Sequence, residues 1–254
     1  MGTPDVARLA VQLREQTGAF AETIEGADPG ARVPTCPEWR VRDLVGHIGQ
    51  GHRWAAGIVR GGRPTAVPDP REAEPGAPQE WAGWLAAGAA ELGDAVREAG
   101  PEAEVWTFVG ERPAVFWLRR MLYDTCVHRA DAALVSGSAF TLPPDLAAGA
   151  ICEGLELMST PGSDLVKPAL AGLRGQGETL RLRPAEASLP GWLITRTPDG
   201  VAWDRATADA DVEVSAPVRD LLLMFARRLP ADDQALKVTG DSTLLEHWLA
   251  RTAL

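Results

Sequence analysis

The stretch "YDTCVHRADAAL", residues 123–134, places a carboxylate and an imidazole four positions apart, at Asp124 and His128. In a helix, residues at this spacing lie one above the other on the same face. A carboxylate oxygen and neutral imidazole nitrogens are ligands of divalent metals, and with water in an open position they resemble a catalytic zinc site. The simpler alternative is that the two groups pair with each other or with the neighbouring Arg129.

The helical pattern around this pair predicts that both groups lie inside the protein. At 100° per residue, the apolar residues Trp117, Met121 and Val135 fall on the same stripe as Asp124 and His128. A buried carboxylate or imidazole that lacks a partner costs several kcal/mol. We therefore expect a further polar group on another element to face this pair.

The histidines offer candidates for a third ligand. The chain has four of them, and His47 and His52 lie on a second predicted helix. His52 falls near one edge of the apolar stripe of that helix and His47 near the other edge, so periodicity leaves the choice open. His247, beside Trp248 near the end of the chain, is interpreted as a half-exposed packing residue.

The elements that must position these residues are mainly helices. Apolar periodicity predicts five of them, over residues 4–24, 40–60, 79–99, 114–136 and 144–159. A connection with five prolines, residues 61–78, separates the second helix from the third. Helices of this length, joined mostly by loops that permit antiparallel neighbours, favour an up-down bundle.

The pattern changes after residues 159–164, "STPGSD". Period-two alternation predicts strands in "ETLRLRP", "GWLITRT", "ADVEVSAP" and "ALKVTG", with helices in "PVRDLLLMFARRL" and "DSTLLEHWLART". The expected fold class is α+β, with a helical domain over residues 1–160 and a smaller α+β domain over residues 165–254.

Composition excludes several classes of function. The net charge of −10 argues against a surface for nucleic acid or an anionic membrane. No run of eighteen apolar residues and no signal-peptide core is present, so no membrane partner is expected. Three widely spaced cysteines predict no disulfide framework and fit a reducing cytosol, hence a cytoplasmic location. The sequence holds no G-x-S-x-G, Walker-type, G-x-G-x-x-G or C-x-x-C motif.

Two segments resemble one known family. "VPTCPEWRVRDLVGHIGQGHRWA", residues 33–55, followed by "RRMLYDTCVHRADA", residues 119–132, is similar to the mycothiol-dependent maleylpyruvate isomerases. That family belongs to the DinB-like superfamily of metal-binding four-helix bundles. The segments at residues 210–228 and 236–250 resemble the family's C-terminal domain, which is similar to sterol-carrier folds.

The resemblance implies a set of site residues. Family members hold zinc with a histidine on the second helix and an acid-x-x-x-His pair on the fourth, and their helix-2 histidine lies eight residues after a loop tryptophan. Here Trp39 leads to His47, so the implied ligands are His47, Asp124 and His128, with zinc or alternatively nickel as the metal. The family usually has glutamate at the position of Asp124.

The resemblance also implies residues outside the ligand set. His52 becomes a pocket residue, grouped with the catalytic candidates. The family's catalytic arginine, at the end of the helix in the second domain, matches Arg227 or Arg228. From the residues alone, two interpretations of this arginine pair are possible: the arginines lie at a solvent-exposed helix end, or they bind an anion.

The implied chemistry uses mycothiol as a low-molecular-weight thiol cosubstrate and a small electrophilic molecule as substrate. Addition of the thiolate, bond rotation and elimination give cis–trans isomerisation, whereas addition with displacement gives S-transfer. S-transfer is favoured here, because the superfamily's substrates are diverse. The alternatives are a thiol-independent enzyme that uses the same pocket, and a metal-free protein that binds a small ligand or confers resistance. The sequence predicts no oligomeric state.

Overall fold

The computed structural model describes residues 5–63, 66–205 and 207–252. The chain forms two compact units, Met1–Phe140 and Thr141–Leu254. The division falls about twenty residues before the boundary expected from the sequence, because the fifth predicted helix groups with the second unit.

Four long helices make up the first unit. They are α1 Val6–Thr23, α2 Val41–Val59, α3 Trp81–Ala99 and α4 Val115–Ser136, each within a few residues of its predicted position. Two antiparallel hairpins precede α2 and α4: β1 Arg32–Val33 with β2 Cys36–Arg40, and β3 Glu104–Val105 with β4 Arg112–Pro113. The Asp5 carboxylate caps α1 by accepting from the amide of Arg8, and Gly137 ends α4 in the left-handed conformation.

Helices α2 and α3 run in the same direction. Gly49 lies against Trp84 near the beginning of the pair, and Arg60 is paired with Glu91 at 2.7 Å towards its end. The long proline-rich connection permits this orientation, because it is long enough to return the chain to the end of the bundle where α2 begins.

Helix α4 runs opposite to α2, since His47 faces Asp124 near one end and Trp54 contacts Trp117 near the other. Helix α1 runs opposite to α3, with Ala10 beside Gly93 and Phe20 packed in one cluster with Leu85. The order of directions is therefore up, down, down, up, which refines the simple alternation expected from loop lengths.

The second unit contains four helices and a five-stranded sheet. Its helices are α5 Pro144–Met158, α6 Ser163–Val166, α7 Val218–Phe225 and α8 Ser242–Arg251. Its strands are β5 Thr179–Pro184, β6 Trp192–Thr197, β7 Gly200–Asp204, β8 Val212–Ala216 and β9 Lys237–Gly240. The sheet order is β7-β6-β5-β8-β9, and only the central pair β5 and β8 is parallel. The α+β class is confirmed, whereas strand β7 was not predicted.

Helix α5 belongs to the second unit because its small residues face that unit's core. Gly154 lies against Phe225 of α7, where an added Cβ would come within 2.6 Å of the ring. The Trp192 indole of β6 donates to the Cys152 sulfur at 3.3 Å. The apolar face of α5 is thus explained by contacts with α7 and the sheet.

None of the helices in the described part of the chain combines the length and the apolar character that crossing a membrane requires.

Two glycines on α2 test the close contact between α2 and α3. A Cβ at Gly49 would lie 2.0 Å from the Trp84 ring, whereas nothing lies within 4 Å of a Cβ at Gly57. We expect Gly49→Ala to destabilise the first unit by about 1–3 kcal/mol through overpacking. Gly57→Ala should stabilise it by about 0.5–1 kcal/mol, since alanine is the better helix former. Denaturant unfolding measures both, and equal effects would contradict the close packing.

Candidate metal centre

His47 of α2 and Asp124 and His128 of α4 converge in the first unit. The His47 Nε2 lies 3.0 Å from the Asp124 Oδ2, and the His128 Nε2 lies 3.8 Å from the same oxygen. One ligand atom from each of the three residues lies within 4.8 Å of the others, so together they could hold a metal ion. The shorter acid therefore reaches both histidines.

His128 is held by a second carboxylate. Its Nδ1 donates to the Asp131 Oδ2 at 2.7 Å, and Thr35 donates to the other oxygen of Asp131 at 2.5 Å. Because an ionised carboxylate only accepts, the ring proton lies on Nδ1 and the Nε2 lone pair faces Asp124 and His47. This arrangement is the usual support of a metal-binding histidine. Sequence analysis missed Asp131, although its position three residues after His128 on one helix was a usable signal.

Asp124 is held by an arginine one helical turn earlier. The Arg120 guanidinium donates to Oδ1 at 2.5 Å, which leaves Oδ2 directed at the histidines. Burial raises the pKa of Asp124, but Arg120, His128 and His47 outweigh it and hold the pKa well below its usual range. Sequence analysis missed Arg120 as well.

The protonation states suit a cation. Burial lowers the pKa of His128 despite the opposing effect of Asp124, so its imidazole is neutral at pH 7. A neutral imidazole nitrogen and an ionised carboxylate are the forms that bind a metal. The donor set of His47, Asp124 and His128 therefore fits a divalent ion such as zinc.

The loop before α2 closes one side of the site. The Trp39 ring lies 4.8 Å from the His47 ring and 5.7 Å from the His128 ring, measured between centroids. Cys36, on the same strand β2, forms a second group of candidate ligand atoms with His128 and Asp131. Thus the "VPTCPEW" loop supplies contacts to the imidazoles of both candidate ligands.

His52 lies one turn and a half further along α2 and is not in either ligand group. It is fully buried, and its Nε2 lies 3.1 Å from the Thr125 hydroxyl, next to Asp124 in sequence. Burial lowers its pKa to about 3, outweighing the attraction of Asp124. Through this hydrogen bond the neutral ring of His52 joins α2 to α4. A catalytic role for His52 stays a prediction.

An aromatic cluster continues along the same contact between α2 and α4. Beyond the three candidate ligands, Gly51 faces the Met121 sulfur, and Trp54 then meets Trp117 edge to face at 4.9 Å. The rings that join this cluster are Trp106, Phe108 and Phe116. The contact surface thus changes from polar to aromatic within two helical turns.

Two other sequence interpretations can be placed. Arg129 does not pair with Asp124 or His128 but donates to Gln16 of α1 and lies over Phe140. The alternative in which it neutralises the pair is therefore not found. His247 in the second unit is half-buried and bonded to the Gly172 carbonyl at 2.8 Å, as expected of a packing residue.

Arg227 and Arg228 lie in the second unit just after α7 rather than in its last turn. The helix ends at Phe225, and Arg227 has a φ of 68°. The Arg228 amide donates to the Leu223 carbonyl and the Arg227 amide to the Met224 carbonyl. This pattern is a Schellman motif with Arg227 at the position that glycine usually occupies. The sequence did not reveal it, because no glycine follows the helix.

A helical bundle with a two-histidine, one-aspartate cluster and an α+β unit after it defines a recognisable class of protein. Residues 10–133 match the family model described as the mycothiol maleylpyruvate isomerase N-terminal domain. The first unit therefore contains an N-terminal domain of the mycothiol maleylpyruvate isomerase type, in agreement with the resemblance seen in the sequence.

Solved structures agree with the fold. The crystal structure of the mycothiol-dependent maleylpyruvate isomerase is 15% identical, covers 93% of each chain and has a TM-score of 0.63. A structure of a histidine-to-alanine mutant of that enzyme, also 15% identical with 93% coverage of each chain, has a TM-score of 0.59. At this identity the likeness concerns the fold. The comparison with curated protein sequences gave no match.

The buried imidazole of His52 predicts acid sensitivity. Its pKa is about 3 in the folded protein, against 6.5 for the free side chain. Between these values the unfolded chain binds a proton that the folded protein does not, so stability falls as the pH decreases from 6.5 towards 3. This residue contributes up to about 1.4 kcal/mol per pH unit.

We therefore expect His52→Gln to flatten the pH dependence of unfolding over that range, measured with a chelator present. His247→Gln, which removes a half-buried imidazole in the second unit, is the matched control. If the free energy of unfolding depends on pH equally in His52→Gln and in the wild type, His52 is not the source of the acid sensitivity.

Proposed function

We propose that the protein is a metal-dependent enzyme that uses mycothiol to modify a small electrophilic substrate. The observation that carries the proposal is the convergence of His47, Asp124 and His128 within 4.8 Å, inside a domain of the mycothiol maleylpyruvate isomerase family. The similar solved structures are of a mycothiol-dependent maleylpyruvate isomerase, which supports thiol-assisted isomerisation as the reaction type.

His47, Asp124 and His128 would hold the metal through two imidazole nitrogens and one carboxylate oxygen. A divalent metal bound there would lower the pKa of a coordinated thiol, so that the thiolate is present at neutral pH. Asp131 fixes the orientation of His128, and Arg120 fixes that of Asp124. These contacts keep the three ligands in place before any ligand binds.

The reaction balances without an oxidant or reductant. The thiolate sulfur adds to one carbon of an electron-poor cis double bond, and the electron pair moves into the adjoining carbonyl. The former double bond is then a single bond and rotates. Elimination of the sulfur restores the double bond in the trans form and releases the thiolate unchanged. In S-transfer, the sulfur stays on carbon and another group leaves.

The Trp39 ring and the aromatic cluster around Trp54 and Trp117 support this chemistry. The Trp39 ring, beside His47 and His128, would limit the access of water that competes with the thiol for the electrophilic carbon, and the aromatic cluster makes the adjoining contact between α2 and α4 apolar. S-transfer, zinc as the metal and a cytosolic location stay predictions. Oligomeric state is left open.

Metal content tests the proposed ligands. We expect elemental analysis to find about one zinc or nickel per chain in the wild type and almost none in His47→Ala. Asp131→Asn should weaken metal binding about 10- to 100-fold by releasing His128 from its hydrogen bond. His247→Ala, which lies outside the site, should bind metal normally. Wild-type protein that stays metal-free after reconstitution would exclude the proposed centre.

Turnover with mycothiol tests the reaction. We expect wild-type protein to isomerise cis-configured, carbonyl-conjugated substrates or to form thiol adducts of electrophiles, and only when the thiol is present. Asp124→Asn removes the negative charge between the two histidines and should lower turnover about 100-fold or more. Asp94→Asn, on the exposed face of α3, is the matched control and should be fully active. Equal turnover without thiol would refute thiol dependence.

A further inference from the structure

The Asp124 carboxylate is divided between a cation of its own helix and the two imidazoles. Its Oδ1 accepts a hydrogen bond from the Arg120 guanidinium at 2.5 Å, four residues earlier on α4. Its Oδ2 lies 3.0 Å from the His47 Nε2 and 3.8 Å from the His128 Nε2. The guanidinium and the histidines therefore approach different oxygens of one carboxylate.

The pair of Arg120 and Asp124 is shielded from solvent. The two side chains are 18% and 19% exposed, so water and salt screen their attraction only in part. Burial raises the pKa of Asp124, and the charge of Arg120 is the strongest of the influences that oppose it. A charge-assisted hydrogen bond in such surroundings is stronger than one at the surface. The guanidinium is thus a lasting neighbour of Oδ1.

This contact limits how the carboxylate can bind a metal. A metal ion held by both oxygens would have to share Oδ1 with the guanidinium, and two positive groups a few ångströms apart repel each other. A metal ion held by Oδ2 alone avoids that repulsion. The two imidazole nitrogens also approach Oδ2, so the chain places all three ligand atoms on the side away from Arg120.

The distances around Oδ2 agree with coordination through one oxygen. In a tetrahedral centre with metal–ligand bonds of about 2.0–2.1 Å, neighbouring ligand atoms lie about 3.3 Å apart. The distances from the Asp124 Oδ2 to the nitrogens of His47 and His128, 3.0 and 3.8 Å, lie on either side of this value.

We propose that Arg120 is a positioning residue that limits Asp124 to metal coordination through one oxygen. This inference rests on the metal centre of the proposed function. Two imidazoles and one carboxylate oxygen fill three positions of a four-coordinate metal, so the fourth is open for the thiol. Without Arg120, the second carboxylate oxygen is released and competes for that open position.

Cobalt provides a probe of the coordination number that needs neither thiol nor substrate. Co²⁺ in a four-coordinate site absorbs visible light several-fold more strongly than Co²⁺ with five or six ligands, because its spectrum depends on geometry. We expect the strong spectrum from wild-type protein loaded with one equivalent of Co²⁺. Arg120→Met removes the guanidinium and keeps a long side chain, and its visible absorption should fall several-fold.

Two further variants separate positioning from a structural role. Arg97→Met, which removes an exposed ion pair of α3, is the matched control and should give the wild-type spectrum. Arg120→Lys retains a cation beside Oδ1 and should restore the strong spectrum. An arginine that only stabilised the bundle would shift the unfolding midpoint and leave the spectrum of the bound cobalt unchanged.

Metal preference gives a second measurement. Zinc accepts four ligands readily, whereas nickel prefers tetragonal geometries and gains from an additional oxygen. We expect the ratio of zinc to nickel affinity, measured by competition with a chelator, to fall about tenfold or more in Arg120→Met.

Each outcome supports or overturns the proposal. It is overturned if Arg120→Met keeps the wild-type spectrum, or if wild-type protein gives the weak spectrum of a higher coordination number. If Arg120→Met binds no cobalt, Arg120→Lys decides, and a weak spectrum or no binding in that variant overturns the proposal. Wild-type protein that binds no cobalt would refute the metal centre itself, and with it the proposed function. The two failures are therefore distinguishable.

Discussion

The carboxylates of Asp124 and Asp131, placed between helices next to imidazole rings, set the requirements for the rest of the first unit. An ionised carboxylate away from water needs donors or positive charge on each oxygen. Arg120 and His47 meet this need for Asp124, and His128 and Thr35 meet it for Asp131. The four contacts come from α2, α4 and the hairpin before α2. Removing any of these elements would leave a buried charge without its partner.

The packing of α2 against α3 helps to meet this need. Small residues let α2 approach α3 so closely that Trp84 covers Gly49, and the Arg53 guanidinium closes the gap by lying over the Trp84 ring. The contact with α3 fixes the position of α2 along the bundle. It therefore also fixes the position of His47 relative to α4. The alignment of Asp124 with that histidine is thus a result of packing elsewhere.

Sequence periodicity was sufficient for the long helices, because their apolar residues recur at helical intervals, but it did not predict the four-residue helix α6. Spacing also identified Asp124 and His128, and the family resemblance indicated His47. Arg120 and Asp131 were missed, although each lies one helical turn from its partner, because α4 carries several charged residues and spacing alone does not show which of them pair. The direction of α3 depends on a long loop whose path carries no periodic signal. That α5 belongs to the second unit depends on the contact of Gly154 with Phe225, which the sequence of a short apolar helix does not reveal.

His47 and Asp124 are 77 residues apart in the sequence, and this separation affects the order in which the three-residue cluster forms during folding. Asp124 and His128 are one turn apart and become neighbours as soon as α4 forms. His47 joins them only when α2 packs against α4, which closes a loop that contains α3 and the hairpin of β3 and β4 and so costs conformational entropy. The completed three-residue cluster therefore reports on the whole bundle. Any cation that needs all three groups recognises the finished fold and discriminates against partly folded chains.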